Sequence, residues 1–224
     1  MQVIPIGDSI PTRRAPVVTL GLIAVNAVAF LWQYLVVGLE PSVYMGGVIP
    51  IEILTLQDLP PPDLVPPPFT ILTSMFLHGG FAHVAGNMLF LWIFGNNVED
   101  ELGRGRFLLF YIGCGLAAAL AQLGVSAAAQ DLATPMVGAS GAIAGVLAAY
   151  VAMFPGAPVT TWIPPLFVVR LRAGIFIGVW FAMQLIGALF GGGHGGGVAF
   201  TAHVAGFVAG WIWVKLRPPR RRTG

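Results

Sequence analysis

The stretch Pro135-Met-Val-Gly-Ala-Ser-Gly-Ala-Ile-Ala-Gly-Val-Leu-Ala-Ala-Tyr150 is apolar and dense in small residues. It carries one aliphatic hydroxyl, Ser140, with Gly138 and Gly141 on either side. Such a serine in an apolar helix is either interhelical glue or a nucleophile. Its neighbours in sequence do not decide between the two.

Composition places this stretch in a membrane. Of 224 residues, 57% are hydrophobic and 9% charged, and the mean hydropathy is +0.84. A soluble domain carries about 25% charged residues. A membrane helix needs roughly 20 mostly apolar residues, and six segments qualify: 17–38, 71–96, 107–125, 137–154, 174–191 and 198–216. Backbone groups in hydrocarbon must be paired internally, so the spans should be helices. The expected architecture is an all-α, polytopic six-helix bundle of one domain over 17–216. A short lead, 1–16, precedes it and a basic tail, 217–224, follows.

Charge tests the count. With six spans, all eleven Lys and Arg fall on one side. They are Arg13 and Arg14, Arg104 and Arg106, Arg170 and Arg172, then Lys215, Arg217 and Arg220–Arg222. The other side receives Glu40, Glu52, Asp58, Asp63 and Asp131 and no basic residue. The positive-inside rule then makes both termini cytoplasmic. The pI near 9.0 reflects this asymmetry and does not point to nucleic acid. Arg217–Arg222 reads as a topology anchor against lipid headgroups. Arg13-Arg14 with Ala27-Val-Ala29 resembles a signal peptide. The apolar run continues to Val37, which favours an uncleaved first helix.

The connections are uneven. Residues 39–70 form a long outer loop, apolar enough to lie in the membrane interface, with proline clusters that favour extended backbone. Residues 97–106 read as a charged turn in which Glu99 and Glu101 pair with Arg104 or Arg106. Residues 155–173 read as a proline-containing loop. Gly191–Gly197, around His194, reads as a flexible outer joint. The lone Cys114 excludes an intrachain disulfide and a cysteine metal cluster.

Polar residues inside spans are costly and face the protein interior. His83 and Asn87 follow the Ala82/Gly86 pair and share one helical face. Ser140 precedes the Gly141/Gly145 pair. His203 follows Ala202 in the Ala202/Gly206/Gly210 ladder. Small residues four apart let helices approach closely, and with six spans all four polar residues lie in the outer half of the bilayer. Serine, two histidines and asparagine have the parts of an acyl-transfer site. No intramembrane Asp or Glu is present to orient a base, so a Ser–His dyad is expected and a carboxylate triad is not. The alternatives are plain interhelical hydrogen bonds and a metal site on His83 and His203, which lacks carboxylate or thiol support. A small transporter would show paired discontinuous helices and a core charge, and neither is visible.

Three stretches together, Gly138-Ala-Ser140-Gly141, Ala202-His203-Val-Ala-Gly206-Phe-Val-Ala-Gly210 and His78-Gly-Gly-Phe-Ala-His83-Val-Ala-Gly-Asn87, resemble the motif helices of rhomboid intramembrane serine proteases. The resemblance covers about 17–216. It implies Ser140 as nucleophile and His203 as general base. It also implies an oxyanion hole from the Ser140 N–H, His83 and Asn87, with His78 and Gly138 organising the site. Loop 39–70 would be a membrane-embedded first loop, 191–199 a mobile cap, and Glu99 a structural glutamate. The substrates implied are single-pass transmembrane proteins cut near the outer face, in contact with lipid. No cofactor, metal or nucleic acid is implied. The expected location is a multi-pass position in a bacterial inner membrane, with the site opening outward. Two features depart from the pattern. The first loop lacks the family's Trp-Arg pair, and Ala144 stands where an aromatic often packs on the base histidine. Phe81 and Trp211 are candidate substitutes for that aromatic. The rival reading is a catalytically inactive rhomboid-like binder of transmembrane clients.

Overall fold

A computed structural model describes residues 4–165, 167–190 and 199–217. The joint at 191–197 with His194, most of the implied cap, and tail residues 218–224 lie outside the described residues.

The long helices are α1 (Val17–Trp32), α7 (Arg104–Ala128), α8 (Ser140–Met153), α9 (Ala173–Phe190) and α10 (Phe200–Leu216). Three apolar helices are long enough to cross a membrane: Val17–Val37, Arg104–Ala128 and Ala173–Phe190. The first of these is α1 continued by a π turn, Gln33–Val37. Pro67–Phe76 and Phe81–Leu102 qualify only as a pair bent by 76°, which gives three or four candidate spans. α8 and α10 are apolar but shorter, at 14 and 17 residues.

The second segment therefore does not run straight from 71 to 96. α4 (Pro67–Thr73) and a 3₁₀ turn (Ser74–Phe76) end before Gly79-Gly80, and α5 (Phe81–Phe90) starts anew. A π turn (Leu91–Gly95) and α6 (Asn96–Leu102) carry the helix on. Gln33 holds the break. Its Oε1 accepts from the His78 N–H at 2.9 Å, and its Nε2 donates to the His78 carbonyl at 3.2 Å and to Ser42 Oγ at 2.9 Å. A π turn redirects a side chain off the regular helical repeat, and here it buries Gln33 completely.

α8 is the central helix, with every residue from Gly141 to Tyr150 buried. Glycines set its spacing. A Cβ added to Gly206 would collide with the Gly141 carbonyl, and one on Gly210 would lie 2.6 Å from Gly145 Cα. On its other side, a Cβ on Gly145 would lie 2.5 Å from Cys114 Sγ of α7. The outward faces of α1, α7 and α9 expose large apolar side chains such as Val28, Leu109 and Ile186. That is the pattern of helices facing hydrocarbon.

Two expectations about the ends are corrected. The fold is not purely helical, because the lead and the 155–173 loop join in a three-stranded antiparallel sheet. It is ordered β1 (Ile4–Asp8), β2 (Pro158–Ile163), β3 (Phe167–Arg172). Ile4 pairs with Trp162 and Asp8 with Val159, and Pro158 pairs with Arg172. Val159 and Thr161 point inward and are fully buried. The runs Val-Thr-Thr-Trp and Phe-Val-Val are rich in β-branched and aromatic residues, a strand signal that the surrounding prolines masked. Asp8 then fastens the sheet to the helices, accepting from Tyr150 Oη at 2.6 Å and Asn97 Nδ2 at 2.8 Å. Burial pushes its carboxyl pKa up.

Glu99 also differs from expectation. It reaches back to α1, accepting from the N–H groups of Val18 (3.0 Å) and Thr19 (2.7 Å) and from Thr19 Oγ1 (2.8 Å). These N–H groups belong to the first turn, where the helix leaves donors unpaired and its dipole favours an anion. Arg13, rather than Arg104 or Arg106, pairs with Asp100 and Glu101 at 3.3 and 3.4 Å.

The long loop is helical in part, with α2 (Leu39–Gly46) and α3 (Pro50–Thr55). Its backbone reaches the serine segment through the Val48–Met136 bridge.

Candidate active site

Ser140 opens α8, and the chain before it is shaped to deliver it there. Gly138 N–H donates to the Ser74 carbonyl at 2.8 Å, and Gly138 has φ +128°, a conformation that L side chains rarely adopt. Being the first helical residue, Ser140 keeps its own N–H out of the α8 ladder.

The close α8–α10 contact brings His203 to it. His203 Nε2 lies 2.7 Å from Ser140 Oγ. The other ring nitrogen, Nδ1, lies 2.7 Å from Gln184 Oε1 on α9. A carbonyl oxygen only accepts, so Nδ1 carries the proton and Nε2 presents its lone pair to the serine hydroxyl. The Ser–His pair thus has a third partner, which the sequence reading missed because it looked only for a carboxylate. The signal was available: Gln184 is the one carboxamide in the otherwise apolar helix 173–190.

The aromatic that faces the histidine also comes from α9. The Trp180 ring lies 6.0 Å from the His203 ring, tilted by 34°. Neither substitute considered from sequence fills this place. Phe81 packs edge-on against Phe30 and Tyr34, each at 5.0 Å, and Trp211 lies under Lys215.

His83 stands across from the serine. Gly79 N–H donates to its Nδ1 at 3.4 Å, so Nε2 carries the proton and is free to donate. A Cβ on Gly138 would lie 2.8 Å from that Nε2 and 3.7 Å from Ser140 Oγ, which places Nε2, Gly138 and Ser140 around one small space. Asn87, one turn along α5 from His83, is buried, and its Nδ2 makes no hydrogen bond among the described residues. His78 is fully buried behind His83, ring to ring at 5.0 Å and nearly perpendicular. Ser140, His83 and His203 are each half-buried.

No metal-ligating cluster forms around the serine among the described residues. Among the described residues, the one group of carboxylates close enough to share an ion is Glu52, Asp58 and Asp63, with ligand atoms within 4.8 Å of one another in the long loop.

Fold and site together define a helical integral membrane protein with a serine–histidine pair held between three of its helices. The Rhomboid domain model matches residues 67–219, over half of the chain. The chain belongs to the rhomboid family. It is similar to rhomboid protease GluP of Bacillus subtilis (strain 168), 45% identical over 85 residues, covering 37% of this chain and 16% of that protein. It is similar to rhomboid protein 1, mitochondrial, of Saccharomyces cerevisiae, 35% identical over 104 residues, 46% of this chain and 30% of that protein. A third relative is presenilin-associated rhomboid-like protein A, mitochondrial, of Danio rerio, 30% identical over 154 residues, 66% of this chain and 39% of that protein. The chain thus spans well under half the length of these relatives. They come from a bacterium and from mitochondria, so an integral membrane location stands and a bacterial inner membrane is not singled out.

Proposed function

We propose that this protein is an intramembrane serine endopeptidase acting on single-pass transmembrane proteins. The observation that carries the reading is the 2.7 Å contact between Ser140 Oγ and His203 Nε2. The relatives named rhomboid protease support it at the level of the family. Ser140 Oγ attacks the scissile carbonyl as His203 takes its proton, and the imidazolium then protonates the leaving amine. The carbonyl oxygen becomes an oxyanion, and the donors assigned to it in this reading are the Ser140 N–H, His83 Nε2–H and the buried Asn87 Nδ2. Preorganised donors of this kind are worth about 10²–10³ in kcat each. An Asn87 Nδ2 with no partner among the described residues suits a group whose acceptor arrives with the substrate.

With α8 and α10 counted as spans, the chain crosses six times and every Lys and Arg lies on the cytoplasmic side. Ser140 then opens toward the outer face, where the long loop would lie in the membrane interface. α8 rises about 1.5 Å per residue, which leaves it shorter than a roughly 30 Å hydrocarbon core. A helix fully enclosed by others has no need to reach the surface, and its start can sit below it.

The rival is an inactive binder of transmembrane clients. A fluorophosphonate probe on the purified protein separates the two. Wild type should be labelled and should cleave a model transmembrane peptide, and Ser140→Ala should do neither. His203→Ala should be folded and inactive. Absence of labelling in wild type, or cleavage retained in Ser140→Ala, would reject the protease.

A further inference from the structure

We propose that Gln184 and Trp180 of α9 are the positioning residues of the general base, so that the catalytic unit is Ser140–His203–Gln184 rather than a bare pair. This rests on the protease reading above.

The geometry is direct. Trp180 and Gln184 are four residues apart and share one helical face. That face continues with Phe181, stacked on Phe207 at 4.2 Å, and Gly187, where a Cβ would lie 2.6 Å from the Phe200 ring. Gln184 therefore sits in the middle of a strip that packs along α10, with His203 opposite. The other face of α9 is exposed and apolar at Val179, Met183 and Ile186. A carboxamide in such a helix is costly unless it is paired, and its partner is the base histidine at 2.7 Å.

The carbonyl of Gln184 does two things. It selects the tautomer with the proton on Nδ1, which leaves Nε2 as the acceptor for Ser140. It also sets the ring's rotation, which the Trp180 ring restrains from the side. α8 offers only the methyl group of Ala144 one turn after the serine, so the restraint comes from α9 instead. In the reaction the serine proton moves to Nε2, the Oγ–C bond forms, and the carbonyl π pair goes to oxygen. The Nδ1 proton stays on nitrogen throughout, and its hydrogen bond to Gln184 strengthens as the ring becomes positive. Gln184 takes no proton and touches no substrate.

Two substitutions of similar size test this. Gln184→Met fills the same space without an acceptor, and Gln184→Glu keeps the acceptor. The proposal expects Gln184→Met to lose about 10²-fold in kcat with KM unchanged, as for a base misplaced by about 1 Å. It expects Gln184→Glu to keep most of the activity. A packing role predicts the reverse order, because methionine packs well and a carboxylate is costly there, and that order would overturn the proposal. ¹⁵N chemical shifts of the histidine ring give a readout independent of cleavage, with the His203 signal identified by its loss in His203→Ala. Wild type should show the Nδ1–H form and Gln184→Met should lose it. An Nε2–H form in wild type would overturn the proposal. If wild type neither cleaves nor labels, the protease reading fails, while the ring shifts still decide whether Gln184 sets the tautomer.

Discussion

Gly138→Ala tests the site through backbone geometry alone. The added methyl group would lie 2.8 Å from His83 Nε2 and 2.9 Å from Cε1. Carbon contacts settle near 3.5 Å or beyond, so the imidazole has to retreat by roughly 0.7 Å. It cannot do so without disturbing its Nδ1 contact to Gly79 N–H at 3.4 Å or pressing on the His78 ring at 5.0 Å. Two losses follow. The φ of +128° at residue 138 becomes strained, at about 1–3 kcal/mol, or a fall in Tm of about 2–12 °C for a chain of this size. The His83 N–H leaves the oxyanion position, which should lower kcat by about 10²–10³. The assays are thermal unfolding in detergent and cleavage of a transmembrane peptide. The double variant with His83→Ala isolates the clash: in that background Gly138→Ala should still lower Tm but add little further loss of kcat. A folded Gly138→Ala protein with wild-type kcat would refute this account of His83.

Three other outcomes are expected. Gly206→Ala drives a methyl group into the Gly141 carbonyl, so α8 and α10 must part. The cost is about 1–3 kcal/mol, and activity should fall further than stability because Ser140 and His203 face each other across the same contact; unchanged cleavage would contradict this. Glu99→Ala strips three donors at the start of α1 and should destabilise by about 2 kcal/mol or more, read by thermal unfolding, with serine labelling retained in the folded fraction; an unchanged Tm would count against the cap. Asp63 is pushed up to about 6 by desolvation, with Glu52 and Asp58 adding to it. Its folded value lies above its free value of 3.8, so its contribution to stability is full below about pH 4 and is lost as pH rises through about 6. Protection factors across 52–66, corrected for the intrinsic pH dependence of amide exchange, should therefore rise on acidification from pH 7 to 5, and Asp63→Asn should flatten that rise. Corrected protection factors that fall over that range in wild type would reverse the sign and defeat the argument.

How much was legible in the sequence varies with the range of the interaction. Composition and the apolar runs marked a helical membrane protein because hydrocarbon imposes its demands segment by segment, and three motifs in order marked the family. Small residues four apart marked the faces on which α8 and α10 meet, since that spacing is itself the contact surface. The sheet escaped because β1 and β2 are some 150 residues apart and neither strand stands alone. The break before α5 escaped because Gln33, from a different helix, holds it. Sequence proximity pairs Glu99 with Arg104 or Arg106, whereas the donors it satisfies lie in α1.

Ser140 itself could be singled out as a polar atom in an apolar helix, but the sequence held no information on which nitrogen of His203 would face it. That depends on Gln184, brought to the other side of the ring by the packing of α9 on α10. Sequence alone determined which residues are too polar to face lipid. Only the tertiary structure decided how they pair, because a hydrogen bond between helices depends on rotation and separation that no single segment specifies.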